Sequence, residues 1–147
     1  MVSYIHEILA RKGRGVVTVE RSTTVFDTIA MMVARRVGSV LVVDGDTLLG
    51  IFTERDYMSR IVLQFRTSRT TAVGEVMTTR VHCVVPNNTV DEAMALMTTH
   101  RTRHLPVIDD GCLVGLVSIG DCVECVTRDA RARVESLERY ISGSYPT

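Results

Sequence analysis

Leu48-Leu49-Gly50-Ile51-Phe52-Thr53-Glu54-Arg55-Asp56 and Leu113-Val114-Gly115-Leu116-Val117-Ser118-Ile119-Gly120-Asp121 are one string written twice. Each passes from an apolar strand, through a hydroxyl residue, to a carboxylate three residues further on. The interval is 65 residues, from Gly50 to Gly115, and two other segments keep it. Thr24-Val25-Phe26-Asp27-Thr28-Ile29-Ala30-Met31-Met32 returns as Thr89-Val90-Asp91-Glu92-Ala93-Met94-Ala95-Leu96-Met97, and Val42-Val43-Asp44 as Val107-Ile108-Asp109. Chance similarity does not hold register through a helix, a strand and a loop, so the chain is a duplication, and the repeat governs the fold.

Working outward from that string, each copy reads β-α-β-β-α. A short strand, Val16-Val17-Thr18-Val19 or Val81-His82-Cys83-Val84, leads to a helix capped by Ser22/Thr23 or Asn87/Asn88. Val25, Ile29, Met32 and Val33 share one face of the first helix, and Val90, Met94 and Met97 repeat it. An apolar strand follows (39–43 or 104–108), then a hairpin signal, Asp44-Gly45-Asp46 or Asp109-Asp110-Gly111, a third strand and a second helix after Thr53 or Ser118. Strands this rich in Val, Ile and Leu imply sheets covered by helices, and one copy is too small to hide its own apolar face. The fold class expected is therefore α/β (α+β), with copies at 14–66 and 73–128 packed as a pseudo-two-fold pair and a polar linker at 66–71.

Segments 1–13 and 129–147 are read as helical extensions and candidate dimer contacts. Ile5, Ile8 and Leu9 line one side of the first, which Gly13 and Gly15 end. In the second, Val123, Val126, Ala130, Val134, Leu137 and Ile141 form a stripe from Asp121 to about Ile141 that outlasts the repeat. It suits either the chain's own N-terminal helix or, the preferred reading, a dimer seam.

Composition narrows the classes of function. Among 147 residues, 17 basic balance 17 acidic, so no net field favours nucleic acid or an anionic membrane. No apolar stretch approaches the roughly 20 residues that span a bilayer, and the N-terminus lacks a signal-peptide pattern. A cytoplasmic protein is expected, or one of an organellar matrix if a targeting segment has been removed. Cys83, Cys112, Cys122 and Cys125 read as reduced, mostly buried small hydrophobes.

Chemistry concentrates in Gly50-x-x-Thr53-x-x-Asp56 and Gly115-x-x-Ser118-x-x-Asp121. Glycine in the strand permits close approach, the helix N-terminus suits phosphate, and an ionised Asp accepts from the vicinal hydroxyls of a ribose. Together they describe a nucleotide pocket. The plainer alternative is that Thr53 and Ser118 cap helices and the aspartates satisfy the helix dipole. Cys122-x-x-Cys125 offers half a zinc or redox motif without its other half, and His6, His82, His100 and His104 show no ligand spacing. Gly13-x-Gly15 reads as a helix stop, and Met31, Met32, Met94 and Met97 as packing.

With Val76-Met77-Thr78, Arg103-His104-Leu105-Pro106-Val107-Ile108-Asp109 and the two Gly-x-x-Thr/Ser-x-x-Asp strings in place, the chain resembles the CBS-domain family, named for the regulatory region of cystathionine β-synthase. It is similar to a stand-alone paired module of the Bateman type. The resemblance implies adenine nucleotides, AMP, ADP, ATP or NAD(H), in clefts between the copies. Asp56 and Asp121 would hold ribose hydroxyls, with Thr53 and Ser118 on ribose or phosphate. Backbone near Thr18-Val19 and Cys83-Val84, with Ser39-Val40 and His104-Leu105-Pro106, would line the adenine slots, and Arg55, Arg103 and His104 are candidates for phosphate. Because Gly38-Ser39-Val40-Leu41 stands where the second copy has Arg103-His104-Leu105-Pro106, the two sites should differ. The expected function is a nucleotide sensor, acting by change of shape on a regulated partner, with no catalytic residue and no metal ligand assigned. The alternatives are a nucleotide hydrolase and a redox or metal switch through Cys122 and Cys125.

Overall fold

The computed structural model describes residues 2–13 and 15–142. Arg14, where the first copy is expected to begin, and the end of the C-terminal extension, 143–147, lie outside the described residues. The order is α1 (Ile5–Lys12), β1 (Thr18–Glu20), α2 (Val25–Arg35), β2 (Ser39–Asp44), β3 (Thr47–Thr53), α3 (Glu54–Asp56), a π-helical stretch (Tyr57–Val62), α4 (Val73–Val76), α5 (Val90–His100), β4 (His104–Asp109), β5 (Cys112–Ser118) and α6 (Ile119–Ser142). The mixed α/β architecture and the duplication are both as expected.

Helices α2 and α5 begin at Thr24 and Thr89, one or two residues later than the expected caps. Thr24 Oγ1 accepts from Asp27 N at 3.1 Å and Thr89 Oγ1 from Glu92 N at 3.0 Å. A threonine three residues before an acid can cap, and in the second copy Glu92 bonds back to Thr89 N, completing the reciprocal box. Asn88 instead closes the preceding turn, its Oδ1 accepting from Val85 N at 2.8 Å.

Strands β2 and β3 pair antiparallel, Ser39 opposite Thr53, and β4 and β5 repeat the pairing with His104 opposite Ser118. The leading strands are unequal. Thr18–Glu20 runs parallel to β2, whereas the expected strand at 81–84 shrinks to a single bridge, Val84 to Val107. Proline explains the loss. Leu41 N donates to Val17 O at 3.1 Å in the first copy, and the residue 65 further on is Pro106, which has no N–H to give.

Each copy's core is completed by a helix from outside it. Ile5, Ile8 and Leu9 of α1 are fully buried with Leu105, Val107 and Val117 of the second copy, while Val73 and Val76 of α4 complete the first copy with Val40, Val42 and Phe52. The leading segments thus cross over. The apolar face of α1 is covered within the chain, where Ile5, Ile8 and Leu9 form part of the second core. Further ties join the copies: Leu113 N to Asp46 O at 3.0 Å, and Ile51 bridged to Thr78.

The polar linker is pinned to the start of α2, for Ser68 O and Thr71 O accept from Phe26 N and Val25 N, and Arg69 lies 4.5 Å over the Phe26 ring. Val33, expected on the buried face of α2, is 73% exposed. In α6, Cys122 and Cys125 face the core and Ser3 bonds Asp129, while Val123, Val126, Val134, Leu137 and Ile141 remain exposed. The apolar stripe therefore does not pack on α1.

Candidate functional site

The two repeated strings end at equivalent junctions of sheet and helix. Thr53 Oγ1 accepts from Asp56 N at 3.1 Å, and Asp56 Oδ2 accepts from Thr53 N at 3.0 Å and from its hydroxyl at 3.2 Å. Ser118 and Asp121 form the same box, Ser118 N donating to Oδ2 at 2.8 Å and Asp121 N to Ser118 Oγ at 3.1 Å. The capping role weighed from sequence is therefore present in both copies. It is only part of what these carboxylates do.

Asp56, 8% exposed, also accepts from Thr78 Oγ1 at 3.0 Å through Oδ1, with Arg60 Nε at 3.8 Å. Arg60 is itself held by the carbonyls of Val76 and Met77, at 2.9 and 2.8 Å. Asp121 instead meets Lys12, whose Nζ lies 2.8 Å from Oδ2 and 3.0 Å from Leu116 O. Burial raises the Asp121 carboxyl, but bonds from Lys12 and Ser118 and the ammonium charge outweigh it and hold the group below its ordinary value. Among the described residues the bonds to Asp121 fall on Oδ2, so Oδ1 can take a further donor.

The crossing segments explain this geometry. A β-carbon on Gly50 would stand 2.7 Å from Thr78 O and from Met77 Sδ, and one on Gly115 would stand 2.7 Å from Leu9 Cδ2. At Gly50 the backbone itself allows no β-carbon, at Gly115 the Leu9 side chain fills the space, and the closeness of these segments carries Thr78 and Lys12 to the aspartates.

Other residues expected at the sites fall into two groups. Ser39 and His104 stand opposite Thr53 and Ser118 across their strand pairs. Gly38 O and Arg103 O accept from Glu54 N and Ile119 N at 3.1 and 2.8 Å, so these residues anchor the two helix starts. Ser39 Oγ is buried without a hydrogen-bond partner. Burial pushes the His104 imidazole below its ordinary value; Asp121 opposes the shift, and Lys12 and Arg103 add to it.

Val19, Val40 and Val84, by contrast, direct their side chains into the cores, and Pro106 is buried. Val84 N and O are both committed to β4, bonding Pro106 O and Ile108 N. Thr18 is half-buried at the head of β1, and Cys83 is exposed. Arg55 is exposed and makes no bond to Asp56 among those described; the cation beside that carboxylate is Arg60, one turn on. Lys12, Arg60 and Thr78 are the participants the motif reading passed over. Thr78 and Lys12 could have been found by asking what each leading segment brings to the opposite copy, and Arg60 by its place four residues after Asp56.

A groove of about 490 Å³ between α2 and the helix after β3, lined by Ile29, Met32, Val33, Val37, Tyr57 and Met58 among others, includes neither aspartate. Cys122 and Cys125 are buried, and burial pushes the Cys122 thiol up to about 11, far from the thiolate that metal or disulfide chemistry needs.

The CBS-domain model matches residues 7–63 and again 73–128. The chain belongs to the CBS-domain family. CBS domains are regulatory modules, and many bind adenosine-containing ligands. Over 127 residues the chain is 42% identical to CBS domain-containing protein CBSX3, mitochondrial, of Arabidopsis thaliana, covering 83% of this chain but 62% of that protein's length. A solved CBS-domain protein from Burkholderia ambifaria is 49% identical and superposes with a TM-score of 0.82 over 86% of this chain and 96% of its own. A hexameric CBS-CP12 protein from bloom-forming cyanobacteria, 27% identical, gives a TM-score of 0.72 over 90% of this chain and 82% of its own. Among the described residues no helix is long and apolar enough to cross a membrane.

Proposed function

We propose that this CBS pair is an adenine-nucleotide sensor that works by ligand-dependent change of shape, with one site at each junction of sheet and helix. The observation that carries the reading is the double placement of a carboxylate against a crossing segment, Asp56 under Thr78 and Asp121 under Lys12. A ligand whose ribose engages either aspartate competes with, or adds to, a contact that ties the copies together. Binding is thereby coupled to how the copies sit, and differential affinity for two arrangements is what any sensor requires. Thr53, Ser118, Ser39 and His104 line the same junctions, with Arg103 and Arg55 available to phosphate at their edges. Thr18, Val19, Val40, Cys83, Val84 and Pro106 serve the adenine slots through backbone and shape.

The reading extends to a homodimer in the cytoplasm or an organellar matrix, acting on a further protein. Exposed apolar residues on α6 support the dimer, the hexameric neighbour shows that related modules assemble, and the mitochondrial relative fits the matrix. Catalysis is not part of it. Asp56 already accepts from Thr53 and Thr78, leaving it poorly placed to act as a general base.

Calorimetric titration with AMP, ADP, ATP, NAD and NADH tests the proposal. Saturable binding of at least one, with loss of heat in Asp121→Ala, is expected. Absence of binding by all five at millimolar concentration overturns it.

A further inference from the structure

The duplication does not account for one difference between the junctions. What meets Asp56 from the crossing segment is a neutral hydroxyl, Thr78 Oγ1; what meets Asp121 is the ammonium of Lys12. Lys12 is the last residue of α1, which stops at Gly13 with φ 89°. Ile5, Ile8 and Leu9 lock α1 into the second core, so the root of the Lys12 side chain is held beside it. An ammonium has three N–H donors. One goes to Asp121 Oδ2 and one to Leu116 O, and among the described residues no acceptor takes the third. The side chain is 36% exposed, so the ammonium is open to solvent. The positive charges of Lys12 and Arg103 add to the burial that lowers the half-buried His104 imidazole, and Asp121 opposes them. At the first junction the corresponding cation, Arg60, is turned onto the carbonyls of Val76 and Met77.

We propose that Lys12 is a phosphate-binding residue of the second site, giving its third N–H to the phosphate of a nucleotide whose ribose lies on Asp121. This rests on the ribose reading of Asp121 above. Its consequence is chemical selectivity: the second site ranks ligands by phosphate charge, and the cation responsible comes from α1, the segment that leads into the first copy.

The test is a titration of the full ¹⁵N-labelled chain with adenosine, AMP and ATP, followed at the Gly120 amide for the second site and the Gly38 amide for the first. Lys12→Gln is expected to weaken ATP at Gly120 about tenfold, the worth of one charge-assisted bond. AMP should weaken less, adenosine should stay within about twofold, and the Gly38 titration should not move. Lys12→Arg should restore most of the ATP affinity. Unchanged ATP binding at Gly120 in Lys12→Gln, or a parallel loss of adenosine, overturns the role of Lys12 while leaving the sensor intact. No shift with any adenosine compound in the unmodified chain overturns the sensor reading itself. Lys12→Met, which keeps an unbranched aliphatic side chain without the charge, repeats the measurement if Lys12→Gln lowers the melting temperature.

Discussion

At the scale of single residues, the two strand glycines separate close approach from chance. A β-carbon at Gly50 collides with the carbonyl of Thr78, which Ile51 already bridges, so the backbone there is held from both sides. At Gly115 the obstacle is a methyl of Leu9, a side chain that can turn. Gly50→Ala should therefore cost about 2 kcal/mol, and Gly115→Ala less, by urea denaturation. The reverse order would mean that α1 is the more rigid of the crossing segments. Ser39 offers a second measurement. Its hydroxyl is buried without a partner, and such a group costs about 1–3 kcal/mol when its bonds to water are lost. Ser39→Ala should raise the ligand-free denaturation midpoint and weaken nucleotide at the Gly38 junction. A destabilised variant would show that the hydroxyl has a use in the free protein.

Among the elements, the inequality of the leading strands turns on Pro106. Pro106→Leu restores an amide where Leu41 stands in the first copy, and it should donate to His82 O as Leu41 does to Val17 O. The gained bond, about 1 kcal/mol, is offset by the chain entropy that proline removed, so net stability should change little. The readout is hydrogen exchange: the new amide should be protected as strongly as that of Leu41, and fast exchange there would refute proline as the cause. The apolar residues at 81–84 predict a strand equal to the first copy's; Pro106, plain to see in the sequence, is the local signal that corrects that expectation. The helices, both hairpins and the two reciprocal Thr/Ser–Asp boxes were legible in the sequence, for they depend on residues within one turn of each other. What the sequence hid was long range. Nothing local announces that Ile5, Ile8 and Leu9 belong to the second core, that Val33 faces outward, or that Lys12 lies against Asp121, 109 positions away. Periodicity finds an apolar face without saying what covers it.

For the whole molecule, that uncovered face is the remaining structural question. Val123, Val126, Val134, Leu137 and Ile141 are exposed along α6; in the first copy Val33, Met58 and Val62 are exposed on helical stretches and Leu63 and Phe65 in the turn that follows, with Val33 and Met58 lining the 490 Å³ groove. Apolar side chains gathered along helices in this way mark an interaction surface, and self-association is the use that needs no other protein. Arg128–Glu124 and Arg139–Glu135 pair at i, i+4 spacing along the same helix, each adding a few tenths of a kcal/mol at most. The chain should accordingly sediment as a dimer at micromolar concentration. Leu137 is 61% exposed, so Leu137→Glu opens no core, and should give a folded monomer with an unchanged far-ultraviolet circular dichroism spectrum. If binding at the junctions is coupled to the seam through α6, whose first turn holds Asp121 and whose later turns hold Leu137, the monomer should bind ATP with altered affinity, because linkage runs both ways. A Leu137→Glu protein that still sediments as a dimer would place the seam elsewhere. A monomer with unaltered ATP affinity would show that the junctions and the seam are independent.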